Sequence, residues 1–456
     1  MSRLFPRRHP SAWLFHLLAP ALLLPAAFLL AAAPARPSTA DSTRSPILGI
    51  VDTVMIGGNE KTESYVILDE MTLKAGSPVT AAAMEFDRER IYSLGLFTHV
   101  DIMYDSVGTV RFLYVEVRER WFIVPIPIFG FRDGDPHKIF FGAGLLHYNF
   151  RGRNQTLYGS LIFGYDPSLA FSFSDPQIDR ENNLYAGLST SFSRVKNRSV
   201  IQSALTGDFY ERHYDLNGTL GKRFTLYASG GINVGYHDAG VTSYLPGRTV
   251  SPTGTDRYLY ATLSYYYDSR NLKEYATSGS MLSLYVTRSG FGESAVGYTR
   301  FGADAREYLP FAPGFSLATR LFGSVVSGGL VPTYAHTYFG TGERIRGYYR
   351  EVMEGEDIAG GTAEIRYSLL DPRTFYFSAV SIPSEFSVWR FGISLVLFTD
   401  TGTTWYRGDR LQFASLATGY GAGVHFLLPY SVILRTEYAW NLLGTGQFII
   451  DIRGNI

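Results

Sequence analysis

A glycine-rich segment holds the residues whose types and spacing best suit specific ion pairing. Phe339–Arg350 carries three arginines, three glycines and three aromatic residues between two segments that read as strands. An arginine that leaves water needs a carboxylate, which accepts parallel charge-assisted hydrogen bonds from the guanidinium. Gly340 and Gly342 allow this segment to turn tightly and approach a neighbouring wall. The segment therefore predicts a desolvated ion pair, with a solvated loop as the alternative.

Motifs for catalysis and cofactor binding are missing from the sequence. It contains no His-Glu-x-x-His, no Gly-x-Ser-x-Gly, no P-loop and no cysteine. The nine histidines are scattered, which favours isolated side chains over a metal site. Gly419–Gly423 lies in a strand pattern with no following helix, which indicates close packing or bending rather than nucleotide binding. We expect no enzymatic activity, no cofactor and no metal.

The composition favours a protein that does not present its whole surface to water. Only 18% of the 456 residues are charged, against about 25% in an ordinary soluble domain. Aromatic residues make up 15%, and glycine is abundant at 47 residues. The formal net charge is zero, so nothing global indicates a nucleic-acid partner.

The first 45 residues are predicted to be an export signal and a linker. Arg3, Arg7 and Arg8 precede a mostly apolar run over residues 12–33, and small residues follow. This order is typical of a secretory signal peptide over residues 1–35, cleaved after Ala33, Ala35 or Ala40. A permanent transmembrane helix is the alternative. Residues 36–45, rich in proline, serine and threonine, are predicted to be a linker.

Residues 46–120 are predicted to form a small α/β domain of the order strand, helix, helix, strand, strand. Thr62 is expected to cap the first helix, and the second is expected from about Thr80 to Leu94. Two strands, 98–104 and 110–117, follow across a turn that contains Gly108. The domain has 12 acidic and 7 basic residues, so its surface should repel anionic lipid and nucleic acid.

From residue 121 to 456 the dominant pattern is alternation with a period of two, and no convincing amphipathic helix appears. One example has apolar residues at 282, 284 and 286 and polar or aromatic residues at 283, 285 and 287. A soluble sandwich also alternates, but a single unit of this length without a linker favours a membrane barrel. Such a sheet must close on itself, because backbone groups in lipid need internal partners. The longest segment without clean alternation is a loop at about 327–358.

Several motifs resemble known families. Ile56-Gly-Gly-Asn59 and Arg90-Ile-Tyr-Ser-Leu-Gly-Leu-Phe97 resemble a POTRA (polypeptide-transport-associated) domain, with an unrelated α/β fold as the alternative. Residues 339–348, followed by Phe398-Thr-Asp-Thr-Gly402, resemble the BamA/TamA superfamily, also called the bacterial surface antigen family. The resemblance implies an antiparallel transmembrane β-barrel of about sixteen strands over residues 121–456, preceded by one periplasmic POTRA domain.

The same resemblance implies the site residues. The loop motif of the family maps onto Ile345, Arg346, Gly347 and Tyr348, and the tip is expected to fold back into the barrel. Its arginine is expected to pair with a wall aspartate, which maps onto Asp400; a turn aspartate is the alternative. Other charges of the segment are interpreted as loop charges: Glu343, Arg344 and Arg350.

Two classes of function follow from the resemblance. The first is an outer-membrane protein assembly and insertion factor, and the second is a secretion pore for an exported polypeptide. A passive porin would leave the POTRA domain unexplained. The implied partners are unfolded outer-membrane or secreted polypeptides, outer-membrane lipid and periplasmic accessory proteins. Two features depart from the family pattern: the POTRA domain is single, and the chain ends in Ile456 instead of an aromatic residue.

Overall fold

The computed structural model describes residues 46–132, 136–292, 294–349, 351–376, 388–409 and 416–454. The predicted signal peptide (1–35) and linker (36–45) lie outside the described residues, as do Arg350 and Ile456.

The N-terminal domain has the predicted order of elements. Its strands and helices are β1 (Gly49–Ile50), β2 (Thr53–Gly57), α1 (Ser64–Leu68), β3 (Pro78–Val79), α2 (Ala81–Tyr92), β4 (Phe97–Val107) and β5 (Val110–Glu119). A three-stranded sheet has the order β2-β5-β4, with β2 parallel to β5 and β4 antiparallel to β5. Both helices cover one face of this sheet around buried side chains such as Ile67, Leu96 and Leu113. Leu272, from far along the chain, belongs to the same core.

One of the two predicted N-cap residues of the helices is confirmed and the other is wrong. Thr80 caps α2 as expected, since its hydroxyl accepts a hydrogen bond from the Ala83 N–H at 3.2 Å. The expected cap at Thr62 is wrong, because α1 has Glu63 at its N-cap and no side-chain cap bond. The Thr62 hydroxyl instead donates to the Glu119 carboxylate at 2.6 Å. This long-range bond ties α1 to the end of β5.

The described residues between 123 and 454 include an antiparallel sheet of sixteen strands, which confirms the predicted number and fold class. The strands are β6 (Ile123–Phe131), β7 (Ile139–Phe150), β8 (Gln155–Gly164), β9 (Ser168–Asp179), β10 (Leu184–Lys196), β11 (Tyr210–Arg223), β12 (Ala228–Val241), β13 (Thr255–Asp268), β14 (Gly279–Ser289), β15 (Tyr298–Ala312), β16 (Phe315–Gly328), β19 (Asp357–Tyr376), β20 (Val388–Trp405), β21 (Ala417–Leu428), β22 (Val432–Asn441) and β23 (Gly446–Gly454). A separate two-stranded hairpin, β17 (Thr337–Phe339) and β18 (Met353–Gly355), lies in the connection from β16 to β19.

One short helix was not expected. The helix α3 (Val200–Thr206) lies in the connection between β10 and β11, where the Ser199 hydroxyl accepts from the Gln202 N–H at 3.1 Å. Seven residues give barely two turns, so no amphipathic stripe could reveal the helix in the sequence. Among the described residues, no helix is long and apolar enough to cross a membrane.

The alternation in the sequence separates two faces of the sheet. On β13, Leu263 is 63% exposed on the outer face, whereas Tyr258 is 7% exposed on the inner face. The sheet is curved, and a contact across it shows this. The hydroxyl of Tyr275, in the turn between β13 and β14, lies 3.0 Å from Nδ1 of His425 on β21. Inner side chains and connections therefore fill a lumen.

The first and last strands of the sheet are not paired with each other among the described residues. The strand order runs from β23 to β6, and no register joins these two ends. The expected closure by a continuous hydrogen-bonded ladder is therefore not observed in this part of the chain. We call the junction of β6 and β23 the seam.

Candidate functional site

The connection from β16 to β19 turns back toward the inner face of the sheet. Gly340 has a φ of +93°, and a Cβ there would lie 2.3 Å from the carbonyl oxygen of Glu351. Glycine is therefore required where the two sides of the hairpin meet. Gly342 is different, because no atom lies within 4 Å of its Cβ position and its φ is not positive. The structure gives no steric reason for glycine at position 342.

Arg346 and Asp400 are brought together in a bidentate ion pair. The Arg346 Nε donates to Oδ2 of Asp400 at 2.7 Å, and Nη2 donates to Oδ1 at 2.7 Å. The backbone N–H of Arg346 also donates to Asp400 Oδ2, at 3.1 Å. Asp400 lies on β20, so this contact fixes both the side chain and the backbone of the loop tip against the wall.

Two further carboxylates complete the surroundings of the guanidinium. Nη1 of Arg346 lies 2.7 Å from Oε1 of Glu437 on β22 and 2.9 Å from Oε1 of Glu364 on β19. The guanidinium carbon is 3.6 Å from the centroid of the Phe398 ring, which covers one face. Arg346 is 9% exposed. One cation from the loop thus cross-links three wall strands at a site shielded from water.

Close backbone approach explains two glycines next to the ion pair. Gly347 has a φ of +96°, and a Cβ there would lie 2.8 Å from the carbonyl oxygen of Trp440 on β22. A Cβ at Gly419 on β21 would lie 1.6 Å from the carbonyl oxygen of Arg346. The glycine run in β21 thus leaves space for the loop backbone, in line with the close packing expected there.

The apolar residues of the loop motif anchor it on both sides. Ile345 is buried against Phe339 and Ile358, and Tyr348 packs against the same cluster. On the other side, the Tyr349 N–H donates to Gln447 Oε1 on β23 at 3.2 Å. The Tyr349 ring packs against a buried cluster of Val396, Phe398, Ala439 and Ile449. The loop tip therefore reaches from β19 to the last strand.

Sequence reasoning missed part of this network. Glu364 and Glu437 were not assigned as partners of Arg346, although alternation places Glu437 on the polar face of its strand. Glu343, interpreted as a loop charge, accepts two 2.8 Å hydrogen bonds from Arg320 on β16. Arg344 does remain exposed, with its guanidinium 4.2 Å from the Tyr349 ring. No local pattern reveals these contacts, because they depend on how the strands are staggered.

The geometry can be compared with known proteins. A sequence profile of the Omp85 superfamily domain matches residues 149–447, which is more than half of the 456-residue chain. The chain belongs to the Omp85 superfamily. A second profile, the POTRA family described as surface antigen variable number repeat, matches residues 50–120. A sequence search of curated proteins gave no match.

Two solved structures share the fold. One is BamA from Haemophilus ducreyi lacking POTRA domains 1-3, with 15% identity and a TM-score of 0.52, covering 88% of this chain and 83% of that chain. The other is CdiB from Escherichia coli, with 12% identity and a TM-score of 0.52, covering 89% and 75%.

The predicted family, the single POTRA domain and the location are confirmed. Omp85 proteins lie in the outer membrane with the POTRA domain in the periplasm, and they insert or translocate outer-membrane or secreted polypeptides. The predicted domain boundaries of this Omp85 protein remain predictions.

The POTRA domain of this Omp85 protein is held against the periplasmic rim of the sheet by a buried ion cluster. Glu70 pairs with Arg90 at 2.6 Å and with Arg223 of β11 at 2.8 Å. Arg90 Nη2 also donates to the carbonyl oxygen of Leu226, at 3.3 Å. Burial acts to raise the pKa of Glu70, but Arg90, Arg223 and Lys273 outweigh it and hold the pKa below its usual 4.5. The carboxylate is therefore charged where it bridges the two domains.

The POTRA domain also contacts the rim at three other turns of the sheet. The Glu63 N–H donates to the carbonyl oxygen of Gly152 in the turn between β7 and β8, at 2.9 Å. Ser93 Oγ accepts from the Lys273 N–H in the turn between β13 and β14, at 3.1 Å. The Arg120 guanidinium lies 4.7 Å from the Tyr430 ring in the turn between β21 and β22. The POTRA domain therefore contacts turns from both halves of the sheet.

Proposed function

We propose that this Omp85 protein is an outer-membrane assembly and insertion factor of the BamA/TamA type. In this proposal, the POTRA domain captures an unfolded outer-membrane polypeptide by β-augmentation, and the seam templates its insertion into the bilayer. The observation that carries the proposal is the seam, where β6 and β23 have no paired residues among those described. An open strand edge at membrane depth is a ready acceptor for another strand.

Two contacts that obstruct the passage of a polypeptide along the barrel axis also favour insertion at the seam over secretion through the lumen. A polypeptide that passed through the lumen would have to displace the loop tip, which Arg346 holds through Asp400, Glu364 and Glu437. It would also have to release the POTRA domain from the rim, where Glu70 bridges Arg90 and Arg223. Breaking one buried ion pair costs about 3–5 kcal/mol. Lateral entry at the seam breaks neither contact.

The POTRA domain offers strand edges for the capture step. Its sheet order, β2-β5-β4, leaves β2 and β4 as outer strands. Met103 on β4 is 43% exposed, so this strand also presents apolar surface. Main-chain hydrogen bonds at such an edge bind an extended segment with little regard to its sequence. Outer-membrane lipid is the second partner, and periplasmic accessory proteins are candidates for a third.

In this function the loop motif has a structural part in insertion. We assign to Arg346 and Asp400 the role of bracing the wall, to Ile345 and Tyr348 that of anchoring the loop tip, and to Gly347 that of allowing close backbone approach. Gly340 closes the hairpin. This brace keeps the last strands in place while the seam admits a substrate strand.

Depletion of the protein, followed by quantitative proteomics of the outer membrane, tests the proposal. Loss of many unrelated barrel proteins is the expected result. Loss of a single secreted protein, with barrels at normal levels, would instead favour the secretion pore. A change restricted to uptake of small solutes would favour a passive porin.

A further inference from the structure

An arginine patch lies on the outer face of the sheet, at the ends of the strands that point away from the POTRA domain. It consists of Arg194 on β10, Arg212 on β11 and Arg257 on β13. Alternation places these side chains on the same face as exposed apolar residues such as Leu216 and Leu259. The side chain of Arg257 is 66% exposed and that of Arg212 is 46% exposed. The patch therefore faces the surroundings of the barrel and not its lumen.

The position of Arg212 along β11 places the patch at a boundary of the membrane. On the outer face of this strand, Arg212 lies near one end and Lys222 near the other. The outward positions between them are uncharged: Tyr214, Leu216, Gly218 and Leu220. Ten residues of strand, at about 3.4 Å each and a tilt of roughly 40°, cross about 25 Å, which is the height of the apolar band of an outer-membrane barrel. Because Lys222 lies at the POTRA end, Arg212 lies where the head groups of the outer leaflet begin.

The patch has more cations than carboxylates. Arg194 is directly opposite Arg212 in the register of β10 and β11, where Cβ atoms are about 5 Å apart and like charges destabilise a sheet. Asp238 on β12 contacts two of the arginines, Nε of Arg257 at 2.8 Å and Nη2 of Arg212 at 3.5 Å. Among the described residues Arg194 forms no ion pair, and its guanidinium carbon lies 5.0 Å from the centroid of the Tyr210 ring. One carboxylate against three guanidinium groups leaves an excess of positive charge.

Aromatic rings lie next to the arginines, on the side of the membrane core. Phe192 and Tyr214 are paired across β10 and β11, with ring centroids 4.8 Å apart. The guanidinium carbon of Arg212 lies 5.4 Å from the centroid of the Tyr214 ring. Aromatic girdles of this kind mark the interface between head groups and acyl chains. A lipid at this place would contact the rings with its acyl chains and the guanidinium groups with its head group.

The C-terminal strands of the barrel have no counterpart of the patch in the part of the chain that the structure describes. The outward positions of β21, β22 and β23, over residues 417–428, 432–441 and 446–452, carry no charged side chain. At the same boundary these strands present aromatic rings, such as Tyr438 and Trp440. The strands β10–β13 are the fifth to eighth of the sixteen-stranded sheet. The cations are therefore a local feature of the wall opposite the seam.

We propose that the arginine patch binds the phosphate groups of a phosphorylated glycolipid, the lipid A part of lipopolysaccharide. Arginine pairs with phosphate through parallel charge-assisted hydrogen bonds, and one phosphate can accept from both Arg194 and Arg212. Binding replaces the repulsion between these two guanidinium groups by two attractive contacts. Arg257, oriented by Asp238, supplies a third cation two strands away from Arg212.

The depth of the patch selects the glycolipid over a phospholipid. A cluster of cations beside a membrane attracts any anionic lipid, but the arginines lie at the outer boundary, and lipopolysaccharide is the main lipid of the outer leaflet. The proposal depends on the outer-membrane location and not on whether the protein inserts or secretes polypeptides. If lipid A does not bind, the insertion function stands. If depletion leaves barrel proteins unchanged, the lipid site stands.

Titration of the folded mature chain in detergent with purified lipids tests the proposal. The three lipids are lipid A with both phosphates, lipid A after enzymatic removal of the phosphates, and phosphatidylglycerol as an anionic phospholipid. Native mass spectrometry counts the lipid molecules bound. We expect phosphorylated lipid A to bind about tenfold more tightly than either of the others. Equal affinity for dephosphorylated lipid A or for phosphatidylglycerol would overturn the proposal.

Substitutions that remove charge locate the site. Arg194→Gln with Arg212→Gln should weaken the binding of phosphorylated lipid A by about tenfold or more, because both phosphate contacts are lost. The matched control is Lys222→Gln, on the same face of β11 at the opposite boundary, which should leave binding nearly unchanged. Arg194→Gln alone keeps both contacts of Asp238 and should weaken binding severalfold. Equal weakening by Lys222→Gln, or unchanged binding in a folded double variant, would overturn the proposal.

Melting temperatures distinguish a lipid site from a purely structural role of the arginines. Without lipid A, the double variant should melt at the same temperature as the native protein or higher, because two like charges no longer face each other. Phosphorylated lipid A should raise the melting temperature of the native protein and not that of the variant. A variant that melts lower without lipid, and gains as much from lipid A as the native protein does, would contradict the proposal.

Discussion

The two sides of the seam are built differently. The C-terminal wall, which comprises β19–β23, has a buried ion network in which Arg346 contacts carboxylates on three strands. The N-terminal wall, which comprises β6–β9, has inner positions such as Val124, Ile126, Gly142 and Gly144 that offer no charge. Its described polar contacts include those with the POTRA domain at the periplasmic rim and the ion pair of Arg132 with Asp166 at the opposite ends of the strands.

The comparison shows that the two edges of one antiparallel sheet can differ in how firmly their strands are held. A side chain from the loop cross-links the C-terminal wall, so its last strand has a fixed position. The N-terminal wall depends on strand pairing and on the POTRA domain below it. The seam therefore has one edge that the loop tip holds and one edge that it does not contact.

The largest effect is expected from Arg346→Ala. Removal of the guanidinium leaves the buried Asp400 carboxylate without its cationic partner and takes one partner each from Glu364 and Glu437, which should cost about 3–5 kcal/mol. The heat-modifiable mobility of the purified barrel should shift to a clearly lower temperature. Arg344→Ala, two residues away at an exposed position, is the matched control and should leave the transition unchanged. Equal behaviour of the two variants would remove the network from the account.

A smaller effect is expected from Gly419→Ala. The added methyl group would lie 1.6 Å from the Arg346 carbonyl oxygen, so the loop tip must move, at a cost of about 1–3 kcal/mol. The control is Gly159→Ala on β8, where the nearest atom is 3.9 Å from the added carbon. Thermal melting should separate the two variants. If Gly159→Ala is the more harmful, the C-terminal wall is not the more tightly packed one.

A change of about 1 kcal/mol is expected from Gln177→Ala at the rim. Its Nε2 donates to Oδ2 of Asp69 at 2.6 Å, so the substitution removes one bond between the POTRA domain and β9. Limited proteolysis of residues 46–120 should become faster, while the melting of the barrel stays the same. Thr190→Ala on β10, whose hydroxyl donates to the Asp215 carbonyl oxygen within the sheet, is the control. A change in barrel melting with unchanged proteolysis would contradict this division.

The mildest perturbation is acidification from pH 7 to pH 5. Although burial acts to raise it, the pKa of Glu70 is lowered overall by Arg90, Arg223 and Lys273. A lowered folded-state pKa means that the stabilisation is present above about pH 4.5 and is lost as the pH falls through the folded value. Proteolysis of the POTRA domain should be the same at pH 7 and pH 5 and faster only at stronger acidity. Release already at pH 6 would show that Glu70 is not the charged bridge.

Some of the structure was accessible from the sequence and some was not. Alternation indicated a membrane sheet, and the resemblance supplied both the number of about sixteen strands and the pairing of Arg346 with Asp400. Glu364 and Glu437 were not predicted because the stagger between strands, which no local pattern encodes, decides which carboxylates share a level.

The contacts of the POTRA domain were equally hidden. The cluster of Glu70, Arg90 and Arg223 joins residues more than 130 positions apart, so it depends on the packing of two folded units. The helix α3 was missed because seven residues are too few to show a helical period.

The most direct test of the account is hydrogen exchange, followed by mass spectrometry, on the native protein and on Arg346→Ala in the same lipid. The account predicts that the variant loses amide protection in β20, β22 and β23, while β7 and β8 exchange as in the native protein. A uniform loss over both walls, or unchanged protection in β22 and β23, would contradict the claim that the loop tip braces the C-terminal side of the seam.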